Sequence, residues 1–248
     1  MRLDKVLADM GLGTRTELKK AIRKGCVTVN RQVVTDAAFS IREEEPPEIT
    51  YLGKRVEYHP FEYYMMNKPA GVLTATADRH QQTVLDLMSA ERRRDLFPVG
   101  RLDKDTEGLL LLTNDGVLAH RLLAPRFHVD KLYEAKICGS LTGDDVRKFR
   151  EGIRYDENLT AEPAALEILE TGGSSSRARI TIHEGKFHQV KKMVEALGDG
   201  RKVMTLKRLR MGPLVLDPAL APGDARPLTE EERALLYQCA GISYNPKT

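Results

Sequence analysis

Four consecutive leucines, Leu109 to Leu112, closed by the turn-forming Asn114-Asp115-Gly116, constrain the fold of this 248-residue chain more than any other segment. A short run with no polar interruption does not suit a strand that keeps one face in water, so it reads as a strand buried on both faces. The residues ahead of it, Gly100-Arg101-Leu102-Asp103-Lys104-Asp105-Thr106-Glu107-Gly108, then form a loop anchored to the core. That loop carries Asp103 with Arg101 two positions earlier. On the residues alone, this is either a turn aspartate beside a neighbouring arginine or an acid held in place for chemistry. Asp105 and Glu107 are alternative acids, whereas Asp115 in its Asn-Asp-Gly turn reads as structural.

At the N-terminus, Leu3, Val6, Leu7 and Met10 recur at helical spacing and predict an amphipathic helix with Arg2, Lys5 and Asp9 facing outward. Thr14 and Glu17 have the spacing of a capping box and open a second helix through Leu18, Ala21 and Ile22 that stops at Gly25. Val27 and Val29, a turn near Asn30-Arg31 and Val33-Val34 then predict a small hairpin. The acidic Glu43-Glu44-Glu45-Pro46-Pro47-Glu48 stretch has no periodicity, and Tyr58-His59-Pro60 follows it. A boundary near residue 60 is expected, with a small module over 1–59 and a larger domain over 60–240.

In that larger domain, Tyr63 to Met66 reads as a strand ending at Asn67-Lys68-Pro69-Ala70-Gly71, and Thr83 to Met88 as the start of a short helix. Ser174 to Ser176 follow two glycines and read as a hairpin loop, and Arg177 to His183 alternates as a half-exposed strand should. Val190, Met193, Val194 and Leu197 return to helical spacing before Gly198, and Thr229 with Glu232 caps a terminal helix. Strands outnumber strong helices and do not alternate with them. The expected class is therefore α+β, with a mixed, mostly antiparallel sheet and flanking helices.

The net charge of +3 is modest, but its distribution is uneven. Residues 1–35 hold eight basic and three acidic side chains, a balance of +5. A second basic cluster includes Lys186, Lys191, Lys192, Arg201, Lys202 and Lys207. Two such clusters favour a phosphate-rich partner over two solvated faces. Cys26, Cys138 and Cys239 form no C-x-x-C pair, which suggests neither a disulfide framework nor a zinc site and fits a reduced cytoplasm. No apolar stretch reaches the length of a membrane span, and structured sequence from Met1 onward leaves no expected signal peptide.

Three segments in order, the Asp103 run, Lys131-Leu132-Tyr133, and Glu184-Gly185-Lys186-Phe187-His188-Gln189-Val190-Lys191-Lys192-Met193, resemble the motifs of the RsuA-like pseudouridine synthases, which modify single uridines in ribosomal RNA. The N-terminal segment resembles the alpha-L RNA-binding module through Arg2-Leu3-Asp4-Lys5, Thr14-Arg15 and Gly25-x-Val27-x-Val29-Asn30, with Arg31 where that module usually has glycine. The resemblance implies isomerisation of uridine: the bond from uracil nitrogen to ribose breaks, the base turns, and a carbon–carbon bond replaces it. No redox change, group donor or hydrolysis is involved, so neither cofactor nor metal is expected.

By the same resemblance Asp103 is the essential residue, adding to the anomeric carbon or assisting loss of a sugar proton through a glycal. Tyr133 stacks on the base, Lys186 pairs with the aspartate, and Arg101 fills the space left when the uridine swings out. Arg2, Lys5, Arg15, Lys19, Arg23, Lys191 and Lys192 are candidate RNA contacts. On the residues alone the alternatives are a strand tyrosine with its ring in the core for Tyr133 and a solvated charge for Lys186, while His183 and His188 read as phosphate-facing or structural before catalytic.

The segment Gly223 to Glu232 is similar to the branch acting on 16S rRNA. A monomer is expected, and because phosphate contacts position RNA without reading its sequence, the expected substrate is a small-subunit assembly intermediate. A 23S rRNA site is the near rival. A non-catalytic RNA-binding assembly factor and a glycosidase-like nucleoside enzyme are alternatives of other classes.

Overall fold

The computed structural model describes residues 1–42, 47–56, 58, 60–88, 95–156 and 159–244. Residues 43–46, three glutamates and a proline, and His59, on which the expected linker rests, lie outside them.

Helices α1 (Leu3–Asp9) and α2 (Arg15–Arg23) form where the apolar spacing places them, with Leu3, Val6, Leu7, Leu18 and Ile22 fully buried. The Thr14 hydroxyl accepts from the Glu17 backbone N–H, and the Glu17 carboxylate accepts from the Thr14 N–H, completing the capping box. The expected hairpin is part of a larger unit. Strands β1 (Val27–Val29) and β2 (Gln32–Val33) are joined by β3 (Ile49–Tyr51) and β4 (Lys54–Val56) in a four-stranded sheet of order β2-β1-β3-β4. The tight turn between β1 and β2 puts Asn30 at φ 48° and Arg31 at φ 66°. Arg31 therefore keeps the left-handed turn geometry without glycine, the conformation that a two-residue hairpin needs to match the strand twist.

The second unit contains β5 (Tyr63–Lys68), β6 (Phe97–Val99), β7 (Glu107–Thr113), α3 (Gly116–Leu123) and β8 (Lys131–Cys138). After these come α4 (Gly143–Glu151), the short pair β9 (Arg154–Asp156) and β10 (Leu159–Thr160), then β11 (Ala165–Thr171) and β12 (Ser175–Ile182). The chain ends with α5 (Gln189–Glu195), β13 (Lys202–Met211), β14 (Leu214–Val215), β15 (Ala225–Pro227) and α6 (Glu230–Cys239). The main sheet runs β11-β12-β8-β13-β7-β5-β15, with β6 on β7 and β14 on β13. Among these strands β13 and β7 pair in parallel and the others antiparallel, which is the mixed, mostly antiparallel sheet expected.

Strand β7 is the spine. Leu110 and Leu112 enter the core on one face with Tyr133, Ala135, Val190 and Met193, while Leu109 and Leu111 enter the other with Leu118, Leu122 and Leu236. A strand with two apolar faces needs both covered, and α5 and α6 belong to opposite clusters. Gly108 permits the parallel contact: at φ +99°, a Cβ there would lie 2.2 Å from the Arg208 carbonyl oxygen. The segment read as a helix from Thr83 is a single 3-10 turn over Val84–Leu87, capped by Thr83 and Asp86.

Candidate active site

The loop between β6 and β7 is tied down at several points, which fixes Asp103. The Thr74 hydroxyl donates to the Leu102 carbonyl at 2.7 Å and accepts from the Leu102 N–H at 3.3 Å. Lys68 ends β5 fully buried, and its Nζ donates to the carbonyls of Pro69 (3.0 Å), Lys104 (3.2 Å) and Thr106 (2.9 Å). Burial lowers the Lys68 ammonium to a pKa of about 8 despite the nearby acids Asp105, Glu107 and Asp103. The Gly71 N–H adds a bond to the Lys104 carbonyl at 2.7 Å. A buried lysine with three carbonyl acceptors thus holds the backbone on the C-terminal side of Asp103.

An ammonium and an imidazole approach Asp103. Lys191 Nζ lies 2.9 Å from Oδ2, and His188 Nε2 lies 3.5 Å from Oδ1. Lys191 also bridges to Asp105 Oδ1 at 2.6 Å. Burial opposes the charge on Lys191, but the hydrogen bonds to Asp105 and Asp103 outweigh it and raise its pKa. The same bond from Lys191 lowers the Asp105 carboxyl, whose side chain is otherwise exposed. Lys191 reaches the loop because α5 begins immediately after His188, and helical side chains lean toward the N-terminal end.

The resemblance pairs Asp103 with Lys186, but the structure places the Lys186 ammonium on Glu184. Its Nζ lies 2.8 Å from Glu184 Oε2, and that hydrogen bond raises its pKa. Glu184 is buried, and its Oε1 accepts from Gln189 Nε2 at 2.5 Å and from the Glu162 N–H at 3.0 Å. Lys186 still lines the cleft with Asp103, Tyr133 and Lys191. Lys191, a candidate RNA contact by resemblance, is engaged by two carboxylates, because the α5 register points it at the loop and not at solvent. Lys192 is likewise engaged, with Asp156 Oδ2 at 3.2 Å.

Tyr133 sits on β8 between Ile180 and Arg208, is buried, and lines a small cleft of about 60 Å³. A larger adjoining cavity of about 710 Å³ shares Arg101, Asp103, Lys186 and His188 with it and reaches Phe187. Arg101 is exposed at the rim and has no ion pair among the described residues. Asp115 is structural, as read: Oδ1 accepts from the N–H groups of Val117 and Leu118, and Oδ2 from Tyr63 and Tyr237. His183 contacts Asp130 at 2.6 Å, away from Asp103. No group of three or more metal-ligating side chains occurs among the described residues.

In the N-terminal unit, Arg2 and Arg15 each reach the buried Asp4 carboxylate at 3.0 Å, and Lys19 stands at 3.8 Å. Burial alone would raise the Asp4 pKa, but the hydrogen bonds from Arg2 and Arg15 bring it below the usual range. Each of the three cations remains about half exposed. Lys5 pairs with Asp9 at 3.7 Å, and Arg23 is exposed.

A sequence-family profile described as RNA pseudouridylate synthase matches residues 62–196, and an S4 domain profile matches residues 1–46. The chain is 47% identical to an uncharacterized RNA pseudouridine synthase of Bacillus subtilis (strain 168), over 96% of this chain and 99% of that one. It is 40% identical to ribosomal small subunit pseudouridine synthase A of Vibrio cholerae, over 96% and 100%. A crystal structure of a pseudouridylate synthase superposes with a TM-score of 0.65 at 35% identity, covering 95% of this chain and 99% of that one.

Proposed function

The chain belongs to the RNA pseudouridylate synthase family, and from that premise we propose that it isomerises a uridine of 16S ribosomal RNA, with Asp103 acting at the ribose. The observation that carries the reading is the Asp103–Lys191 pair, 2.9 Å apart, beside a cleft lined by Tyr133. Breaking the bond between uracil N1 and the anomeric carbon leaves positive charge on the sugar. A carboxylate fixed beside that carbon stabilises the charge without reorganising, as preorganised electrostatics require. The base then turns, its C5 bonds to the anomeric carbon, and the proton on C5 leaves as one is gained at N1. Atoms and electrons balance within the substrate, so no cofactor or metal is invoked.

Tyr133 is assigned to stack on the extruded base and Arg101 to occupy the gap it leaves. Lys186, held by Glu184, supplies a second positive charge in the cleft. Extruding a stacked base costs a few kcal/mol, and a base already weakly paired lowers that cost.

Residues 1–59 are assigned to grip RNA backbone and residues 60–240 to the chemistry. The three cations around Asp4 support the first assignment, because one buried carboxylate orders them while leaving them accessible to phosphates. Phosphate contacts do not read sequence, so choice of one uridine rests on RNA shape. The substrate is therefore assigned as a small-subunit assembly intermediate, modified by a monomer in the cytoplasm. The name of the Vibrio cholerae relative favours 16S over 23S rRNA. The test incubates the purified protein with free 16S rRNA, its ribonucleoprotein intermediates and 23S rRNA, and then maps pseudouridine by a chemical stop. Modification confined to 23S rRNA overturns the substrate, and equal rates on naked and assembled 16S rRNA overturn the argument from shape.

A further inference from the structure

Phe187 is 74% exposed, more than any other large apolar side chain among the described residues. Its ring lies flat on the imidazole of His188, with centroids 3.7 Å apart and planes 20° from parallel. His188 in turn contacts Asp103 at 3.5 Å. The Phe187 ring is therefore one ring thickness beyond a residue that touches the acid. It lines the larger cavity of about 710 Å³ and not the small cleft lined by the buried Tyr133.

Resting on the function proposed above, we propose that Phe187 is the stacking platform for the nucleobase adjacent to the target uridine. The 3.7 Å ring separation is close to the spacing of about 3.4 Å between stacked bases, so a base laid on the open face of Phe187 continues the His188–Phe187 stack. The cavity around it is lined by Arg101, Lys104, Lys131 and Lys186 together with Asp78, Asp103 and Glu184, a charged surface that suits a ribose–phosphate backbone and not an apolar peptide. The division of labour follows from depth. Tyr133, buried in the cleft, receives the extruded base, and Phe187, at the rim, keeps its neighbour stacked while the backbone between them is bent. An apolar ring facing water gains by being covered, and any of the four bases can cover it.

The test uses a 16S rRNA fragment carrying the uridine mapped above, with 2-aminopurine on its 5′ or 3′ side, bound to the Asp103→Asn protein so that no turnover occurs. Binding should quench the fluorophore on one side. Adding Phe187→Leu should remove that quench and weaken binding about 5- to 150-fold, whereas Phe187→Tyr should keep both. The salt dependence of binding should not change, because no phosphate contact is lost. With an abasic nucleotide at the same position, Phe187→Leu should cost nothing further. A loss that persists on abasic RNA, or quench and affinity unchanged by Phe187→Leu, overturns the platform. Absence of pseudouridine with the unaltered protein instead overturns the proposed function, before any variant is compared.

Discussion

Lys191 is the ammonium on Asp103, with its Nζ 2.9 Å from Oδ2, while Lys186 turns away to Glu184. The two lysines stand in the same short segment and share the cleft, so their contributions separate by substitution. Lys191→Met should slow single-turnover pseudouridine formation by about 10²- to 10³-fold, the usual cost of removing one preorganised electrostatic partner. Lys191→Arg should restore most of the rate, and Lys186→Met should cost less. A larger loss from Lys186→Met than from Lys191→Met would return the aspartate's partner to Lys186.

Asp103→Asn should abolish turnover while keeping RNA affinity within a small factor, since shape is preserved and the carboxylate is lost. Residual activity above about one percent of the unaltered rate would remove Asp103 from its role, because loss of an essential group costs many decades.

Tyr133→Phe keeps an aromatic face against the base and should leave RNA affinity unchanged. A hydroxyl with a part in proton movement makes the variant slower in single turnover, by about 10²- to 10⁴-fold for a positioned acid or base. Equal rates would confine Tyr133 to stacking.

Lys68 links the site to stability. Its ammonium titrates near 8 in the fold against 10.5 in the unfolded chain, so between those values the unfolded state binds more protons. Stability attributable to this group therefore rises with pH from about 8 to 10.5, and below 8 the full penalty of burying the charge is present. Urea denaturation at pH 7.5, 9 and 10 should show the unaltered protein gaining stability relative to Lys68→Met as pH rises. A constant difference across that range would mean that Lys68 is not strained by burial.

Arg2, Arg15 and Lys19 should each contribute to the salt dependence of RNA binding. Replacing all three with alanine should reduce the log–log salt slope by about 2 to 2.7, given about 0.7 to 0.9 per phosphate contact. Binding titrations over a range of salt read the slope directly, and an unchanged slope would turn this face toward solvent.

Much of the architecture follows from local signals in the chain. The Leu109–Leu112 run, the Thr14–Glu17 and Thr229–Glu232 capping boxes and the Val190–Leu197 periodicity each describe their own element, because burial period and end-capping are properties of adjacent residues. Ile49–Tyr51 and Lys54–Val56 carry no strand signal in the chain because neither alternates in burial, whereas the equally short Val27–Val29 does. The site was legible as residues but not as pairings. Nothing in Lys186-Phe187-His188-Gln189-Val190-Lys191 distinguishes the lysine that meets Asp103, since the answer depends on where α5 begins and on which loop faces it. Lys68 was visible as the lysine of a turn, yet its burial beneath the Asp103 loop depends on contacts 36 and 38 residues away.

The parallel contact between β13 and β7 also sets an order of events. Strand β13, Lys202–Met211, lies between β8 and β7 and so joins the half of the sheet leading to α5 with the half that carries the Asp103 loop. During synthesis the chain emerges from its N-terminus, so Arg101, Asp103, Tyr133, Lys186 and Lys191 have all been made before the strand that brings the two halves together and adds Leu206 to the cleft. The catalytic pair then waits on a pairing that closes about a hundred residues of intervening chain, a step of high contact order and correspondingly slow. A chain halted shortly before Lys202 would carry every motif and no assembled cleft, so activity would appear late and abruptly as the last fifth of the protein is added.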